Sequence, residues 1–165
     1  MFALKSASAG TAAERHDELL SQARALIAGE RDLTANAANL ASLIFHTLPG
    51  LNWAGFYWMK EGGLVLGPFQ GKPACVRIAV GRGVCGTAVA QRRTVVVPDV
   101  HAFPGHIACD SASNSEIVVP VVVAGEVRGV LDLDSPHLGR FGDEEARALE
   151  ALVALFVDGT DFPGA

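Results

Sequence analysis

From Trp53 onward the chain is a series of short strand-like segments joined by turns, and this pattern restricts the fold more than any other feature. The segments are rich in Val, Ile, Leu and aromatic residues, and Gly, Pro or Glu-Gly clusters separate them. The predicted strands are 53–60, 64–68, 75–78, 94–98, 116–123 and 127–134. Parallel strands need crossover connections of about a dozen residues or more, and most of these connections are shorter. The sequence therefore predicts a largely antiparallel sheet.

Helical periodicity flanks this region on both sides. Thr11 is a candidate N-cap for a helix reaching Ala28, and Asp32 for a second helix that ends before Pro49. A short helix is predicted at 84–92 and a C-terminal helix at 141–157. Residues 1–10, rich in Ala, Ser and Gly, are expected to form a flexible N-terminal tail. The pattern predicts an α+β fold, with residues 11–165 as a single domain.

Charge and hydropathy exclude two classes of partner. Lys and Arg number 13 against 18 Asp and Glu, and no basic cluster exceeds Arg92-Arg93. A nucleic-acid binder needs a basic face, so we expect no nucleic-acid partner. The longest apolar run, 117–124, is far shorter than the roughly 20 residues of a membrane-spanning helix, and the N-terminus has no apolar signal region. These features predict a cytoplasmic protein without a membrane partner.

The segment 81–86 matches the pattern GxGxxG between a predicted strand and a predicted helix, and Asp99 follows 18 residues after Gly81. A dinucleotide site would have this signature, but it belongs to parallel βαβ units. The favoured interpretation is that the glycines form a tight turn. That turn places Cys85 in the first turn of a helix, where the helix dipole is expected to stabilise a thiolate.

Three cysteines, Cys75, Cys85 and Cys109, lie near the ends of predicted elements. Cys109 belongs to the segment 99–115, which also holds His101 and His106 and is long enough to be a candidate active-site loop. Paired CxxC or HxxxH spacing is missing, so we predict no metal site. Spacing alone leaves two alternatives open for the thiols: small buried apolar residues or redox chemistry.

Three carboxylates form a second candidate constellation. Strand alternation places Asp132 and Asp134 on one face. If Ala124–Glu126 is a three-residue hairpin loop, Glu116 lies directly opposite Asp134, and the three like charges would raise the pKa of at least one carboxyl group. A two-residue loop would move Glu116 to the leucine face unless a bulge intervenes. An acidic, solvent-facing sheet surface is the equally open alternative.

Seven segments together resemble a known family. They are 52–57, 66–75, 83–86, 98–101, 104–110, 113–120 and 129–136. These segments are similar to those of the free methionine-(R)-sulfoxide reductases, which are stand-alone GAF domains, and the resemblance extends from residue 32 to about residue 155. It implies a GAF-type fold and the thiol-dependent reduction of free L-methionine (R)-S-oxide to L-methionine, with no bound cofactor.

The resemblance also assigns roles to the cysteines. Cys109 matches the attacking cysteine, which becomes a sulfenic acid. Cys75 matches the resolving cysteine that forms a disulfide with it, and Cys85 matches an auxiliary thiol. A thioredoxin-type dithiol would then reopen the disulfide by exchange.

The remaining roles concern the substrate. By the same resemblance, Glu116, Asp132 and Asp134 hold the substrate ammonium and polarise or protonate the sulfoxide oxygen, and Trp53 forms a wall against the methyl-sulfur end. The preference for the R epimer and for the free amino acid comes from the resemblance alone.

Two other functions remain alternatives at this stage. One is a non-enzymatic GAF sensor that binds a small ligand such as a cyclic nucleotide, although such sensors normally act on an attached output domain. The other is a peptide methionine-sulfoxide reductase of a different fold. A homodimer is also left open by the sequence.

Overall fold

The computed structural model describes residues 10–105 and 111–164. These residues form four α-helices, six strands and one 3₁₀ turn. In chain order the elements are α1 (Ala12–Leu26), α2 (Leu33–Thr47), β1 (Trp53–Lys60), β2 (Gly63–Gly71), β3 (Arg77–Ala79), α3 (Gly83–Gln91), β4 (Val95–Val97), the 3₁₀ turn (Val100–Ala102), β5 (Ser115–Val123), β6 (Glu126–Ser135) and α4 (Asp143–Asp158). No helix within the described ranges is long and apolar enough to cross a membrane.

The six strands form one antiparallel sheet in the order β3-β2-β1-β6-β5-β4. Strands β3 and β4 therefore lie at opposite edges, and the connection between them carries α3 across one face. The predicted α+β fold with an antiparallel sheet and flanking helices is confirmed. This topology leaves β1, β5 and β6 in the interior of the sheet, where side chains on both faces can be buried.

Both faces of the sheet are covered. On one face, Phe56, Leu131 and Leu133 are fully buried in a core shared with α2 and α4, and α1 packs on these two helices. On the other face, Tyr57 and Val130 pack beneath α3. Burial on both sides explains why β5 and β6 are apolar at successive positions, and it makes any polar group on the α3 face conspicuous.

The predicted caps set the helix starts. Thr11 and Glu14 form a reciprocal capping box at α1, and the Asp32 side chain accepts a hydrogen bond from the Ala35 amide at 2.8 Å. The last helix begins at Asp143 rather than at 141. Of the predicted tail, residues 1–9 lie outside the described residues, so the tail and the 11–165 domain boundary stay predictions.

The hairpin between β5 and β6 corrects one expectation. Ala124 and Gly125 alone form the loop, both with positive φ (50° and 82°), as a type I′ turn requires. The three-residue loop is therefore wrong. The alternative with a bulge is confirmed, because Val122 pairs with Val127 whereas Val121 pairs with Gly129, which leaves one extra residue on β6. The bulge places Glu116 on the same face of the sheet as Asp132 and Asp134.

The glycine-rich segment 81–86 forms a tight turn from β3 into α3. The Gly81 amide donates to the Gly86 carbonyl at 2.8 Å, and a Cβ atom at Gly86 would lie 2.3 Å from the Ala79 carbonyl oxygen. Asp99, the acidic residue 18 positions after Gly81, instead accepts a hydrogen bond from the His101 amide. In this antiparallel sheet the glycines allow α3 to pack closely against the end of β3, and the turn is not a dinucleotide site.

Candidate active site

A small cavity of about 30 Å³ lies between the α3 face of the sheet, the start of α3 and the segment 72–74. Its chemistry comes from three carboxylates, two aromatic rings and one thiol: Glu116, Asp132, Asp134, Trp53, Tyr57 and Cys85. The structure thus brings together six chemically active side chains from β1, α3, β5 and β6. Five of them are predicted site residues, and Tyr57 is additional.

The strand register places the carboxylates side by side. Glu116 on β5 lies opposite Asp134 on β6, and Asp132 lies two residues earlier on the same face of β6. Glu116 and Asp132 are each only 6% exposed, and Asp134 is half-buried. The alternative of an acidic, solvent-facing sheet surface is therefore wrong. The three carboxylates share one patch on the α3 face of the sheet.

Burial and mutual repulsion raise the pKa values of these carboxyl groups and so favour their protonated forms. Burial is the largest cause that raises the pKa of Asp132 well above its usual range, and the charge of Glu116 raises it further. Burial likewise raises the pKa of Glu116, with the charge of Asp134 as the next cause. The patch is therefore a candidate source of a proton at a pH well above the usual carboxyl range.

This protonation gives a prediction for stability against pH. Because the folded state holds protons that the unfolded chain loses near pH 4, these carboxyl groups stabilise the fold below about pH 4. Their contribution is lost as the pH rises through the folded pKa values. We expect the melting temperature of Asp132→Asn relative to wild type to increase steadily between pH 5 and pH 8.

Thermal unfolding followed by circular dichroism at several pH values measures this difference. The exposed Asp17→Asn variant is the matched control, because its difference from wild type should stay flat over the same range. A flat difference for Asp132→Asn would contradict a proton held on the patch.

The protonation state of the Cys85 thiol differs from the thiolate that the sequence analysis predicts. Cys85 lies in the first turn of α3, is 3% exposed and carries a free thiol. Burial raises its pKa well above the usual value, and the charges of Asp132 and Glu116 raise it further. The expected thiolate is therefore wrong, because desolvation and two nearby carboxyl groups outweigh the helix dipole, whose effect is about 0.3 to 2 kcal/mol.

The aromatic wall is a stack of three rings. Trp53 stacks with both Phe69 and Tyr57, with ring centroids 5.3 Å and 5.8 Å away, and is 3% exposed. On β1 it pairs with Asp134, so its ring flanks the acidic patch. An apolar surface beside buried carboxyl groups suits a ligand with one charged end and one apolar end.

Two hydrogen bonds from this wall hold the segment over the cavity. The Trp53 indole donates to the Lys72 carbonyl and the Tyr57 hydroxyl to the Cys75 carbonyl, both at 3.1 Å. Burial raises the pKa of Tyr57, so its hydroxyl stays a donor. Sequence reasoning missed Tyr57, although strand alternation from Trp53 places it on the same face.

Cys75 lies just before β3, which begins at Arg77 and not at residue 75 as predicted. Cys75 is half-buried and disulfide-bonded, in contrast to the free Cys85. Cys109 and His106 lie outside the described residues. His101 is exposed and its ring contacts Asn114 at 3.0 Å, and it is not part of the cavity lining.

Comparison with known protein families gives a match over most of the chain. The model of the GAF domain matches residues 32–158. The chain is also similar to the free methionine-R-sulfoxide reductase of Escherichia coli K12, at 58% identity over 130 residues that cover 79% of each protein.

Solved structures agree in fold over nearly the whole chain. The free methionine-R-sulfoxide reductase of Neisseria meningitidis, solved in complex with its substrate, is 45% identical with a TM-score of 0.92, covering 96% of this chain and 95% of that one. A protein from Burkholderia vietnamiensis described as a candidate GAF sensor is 58% identical with a TM-score of 0.89, covering 92% and 96%.

Proposed function

Because the chain belongs to the GAF-domain family of free methionine-R-sulfoxide reductases, we propose that it reduces free L-methionine (R)-S-oxide to L-methionine with cysteine thiols. The observation that carries this proposal is the buried carboxylate patch, with its raised pKa values, beside Trp53 and beneath the segment that leads to Cys75. An oxidoreductase of this kind needs a cation site, an acid and a resolving thiol; carboxyl groups line the cavity, and Ala74, the neighbour of Cys75, lies at its wall.

Substrate binding uses the two chemical ends of the cavity. Glu116, Asp132 and Asp134 hold the ammonium group and direct a proton to the sulfoxide oxygen, while Trp53 contacts the methyl-sulfur end. The buried position of the carboxyl groups supports these roles, because an ammonium group interacts more strongly with carboxylates that are shielded from water.

In the first chemical step, the thiolate of Cys109 attacks the sulfoxide sulfur. A carboxylic acid of the patch protonates the oxygen, which leaves the substrate and ends on Cys109 as a sulfenic acid. The sulfoxide gains two electrons as it becomes methionine, and Cys109 loses two. Asp132 and Glu116 are the acid candidates, since their raised pKa values keep a proton available near neutral pH.

In the second step, the Cys75 thiol condenses with the sulfenic acid, releasing water and forming a disulfide with Cys109. The disulfide-bonded state of Cys75 and the free thiol of Cys85, in a chain with three cysteines, support this pairing. A thioredoxin-type dithiol reopens the bond by exchange, and the reducing cytoplasm is the compartment that supplies such dithiols.

A coupled assay tests the proposed function. The protein is mixed with thioredoxin, thioredoxin reductase and free methionine-(R)-sulfoxide, and NADPH oxidation is followed together with methionine release. We expect one NADPH consumed per methionine formed and no turnover of the S epimer. Saturable binding of the sulfoxide without methionine release would contradict the reductase and favour the alternative of a GAF sensor module.

The hydrogen bond from Tyr57 to Cys75 gives a prediction about the second step. Removing the hydroxyl in Tyr57→Phe frees the backbone of the resolving cysteine while keeping the ring. We expect disulfide formation to slow on the order of 10-fold, because small losses of positioning lower the rates of intramolecular reactions. The first, methionine-releasing step should change by less than about threefold, since the donor bonds Cys75 and not the substrate.

Rapid-quench measurement of methionine, combined with trapping of the sulfenic acid by dimedone, separates the two steps. Tyr57→Phe should accumulate more dimedone adduct than wild type at equal methionine yield. Equal slowing of both steps would contradict a specific effect on Cys75.

A further inference from the structure

Three potential metal ligands converge at the floor of the cavity from three different elements. They are the Cys85 sulfur on α3 and carboxylate oxygens of Glu116 on β5 and Asp132 on β6, and these atoms all lie within 4.8 Å of one another. All three residues are buried. This burial distinguishes the cluster from the exposed acidic groups that are common on protein surfaces.

A second observation shows that the cluster has an unused acceptor. The Oδ1 atom of Asp132 is buried and has no hydrogen-bond partner among the described residues. A buried carboxylate oxygen without a donor is rare in folded proteins. It has room for an interaction with a positively charged ligand, and it lies on a cavity wall rather than in the packed core.

We infer that Cys85, Glu116 and Asp132 form a binding site for a divalent zinc ion that excludes the substrate ammonium group. In tetrahedral zinc sites the ligand atoms lie about 2.0 to 2.3 Å from the metal and so roughly 3.5 Å from each other. The three ligand atoms, all within 4.8 Å of one another, are close to that spacing. Water completes the coordination.

The ligand set selects zinc over the common hard cations. Mg²⁺ and Ca²⁺ prefer six or more oxygen ligands, whereas a cluster with one thiol and two carboxyl groups suits a borderline-soft ion. Binding replaces the protons of the Cys85 thiol and of the protonated carboxyl group, so zinc uptake releases protons into the buffer. The sequence spacing missed this cluster because none of the three ligands is near another in the chain.

The consequence is that a bound zinc ion controls whether the substrate can bind. A zinc ion on Glu116 and Asp132 occupies the carboxylates that the proposed function assigns to the ammonium group. Zinc is therefore a competitive inhibitor of methionine sulfoxide binding. The site itself stands apart from the proposed function, and only this competition depends on it.

The test uses the full chain in its oxidised form, in which the proposed disulfide between Cys75 and Cys109 leaves the thiol of Cys85 free. Zn²⁺ binding is measured by isothermal titration calorimetry in buffers of different ionisation enthalpy, which reports released protons. Co²⁺ serves as a spectroscopic probe, because thiolate ligation gives an intense near-ultraviolet charge-transfer band. We expect one Zn²⁺ per chain, proton release and this band.

Two variants and a control locate the ligands. Cys85→Ser should abolish the charge-transfer band and weaken Zn²⁺ binding by at least about 10- to 100-fold, and Asp132→Asn should weaken it similarly. Glu61→Gln, which removes an exposed carboxylate far from the cavity, should bind as wild type does. Unchanged affinity in both cluster variants, or no saturable binding to the wild-type chain, would overturn the inference.

Competition with free methionine-(R)-sulfoxide links the site to the substrate. Zinc binding without any reductase activity would leave the metal site intact and refute the proposed function. Reductase activity that is insensitive to zinc, in a chain that binds none, would refute the metal site alone.

Discussion

Replacing Cys109 by serine is expected to abolish methionine formation, with a loss on the order of 10⁴-fold or more in turnover. Removal of an attacking nucleophile eliminates the covalent step, and a serine hydroxyl at neutral pH is a much weaker nucleophile than a thiolate. Rapid-quench measurement of methionine from free methionine-(R)-sulfoxide, with enzyme in excess, tests this directly. A single-turnover methionine yield equal to that of wild type would overturn the assignment of Cys109 as the nucleophile.

Cys75→Ser is the matched control, because the same substitution at the other redox cysteine should give a different kinetic pattern. Attack precedes resolution, so this variant should release one methionine per chain and then stall with a sulfenic acid on Cys109. Dimedone labelling should detect that species in Cys75→Ser and not in Cys109→Ser. If Cys75→Ser releases no methionine, the two roles must be exchanged.

Local sequence signals predicted the elements of this fold well. The caps at Thr11 and Asp32 act within one helical turn, and the observed helices begin one residue after each of them. β1 spans the predicted residues 53–60. In both cases the interactions that define the element lie inside the segment itself, so neighbours distant in the chain do not change the outcome.

The hairpin shows where local reasoning fails. The choice between a two-residue and a three-residue loop depends on the twist of the whole strand pair, and the type I′ turn matches that twist. The bulge that restores the position of Glu116 has no marker in the sequence. The sequence did predict what is needed for Glu116 to share a face with the two aspartates, namely an odd number of loop residues or a compensating bulge. This prediction was possible because successive side chains of a strand point strictly to opposite faces.

Cys85 shows a second kind of failure. Its place at a helix start was correct, but its charge state depends on Glu116 and Asp132, which lie 31 and 47 residues away in the chain. These groups and the burial beneath α3 decide the pKa, and no local pattern contains them. The same reason explains why the three-dimensional cluster of ligands escaped a search for metal-binding spacings.

Blocking both ends of the substrate gives the second large expected effect. N-acetyl-methionine-(R)-sulfoxide amide lacks the ammonium group that the proposed function places on Glu116, Asp132 and Asp134. An amide there would leave buried carboxylates without a cation, and sites built around a polar group of the substrate reject analogues that lack it by on the order of 10⁴-fold. We therefore expect kcat/KM for the blocked compound to fall by about that factor relative to the free amino acid.

The comparison is made in the thioredoxin-coupled assay, with the free amino acid and the blocked compound at several concentrations. N-acetyl-methionine-(R)-sulfoxide, which keeps a free carboxylate, isolates the ammonium contribution and should show most of the loss. The Asp134→Asn variant sharpens the test, because it should lose activity toward the free amino acid while discriminating less against the acetylated one. Comparable kcat/KM for free and blocked substrates in the wild-type chain would refute the ammonium site, and the carboxylate patch would then serve only as a source of protons.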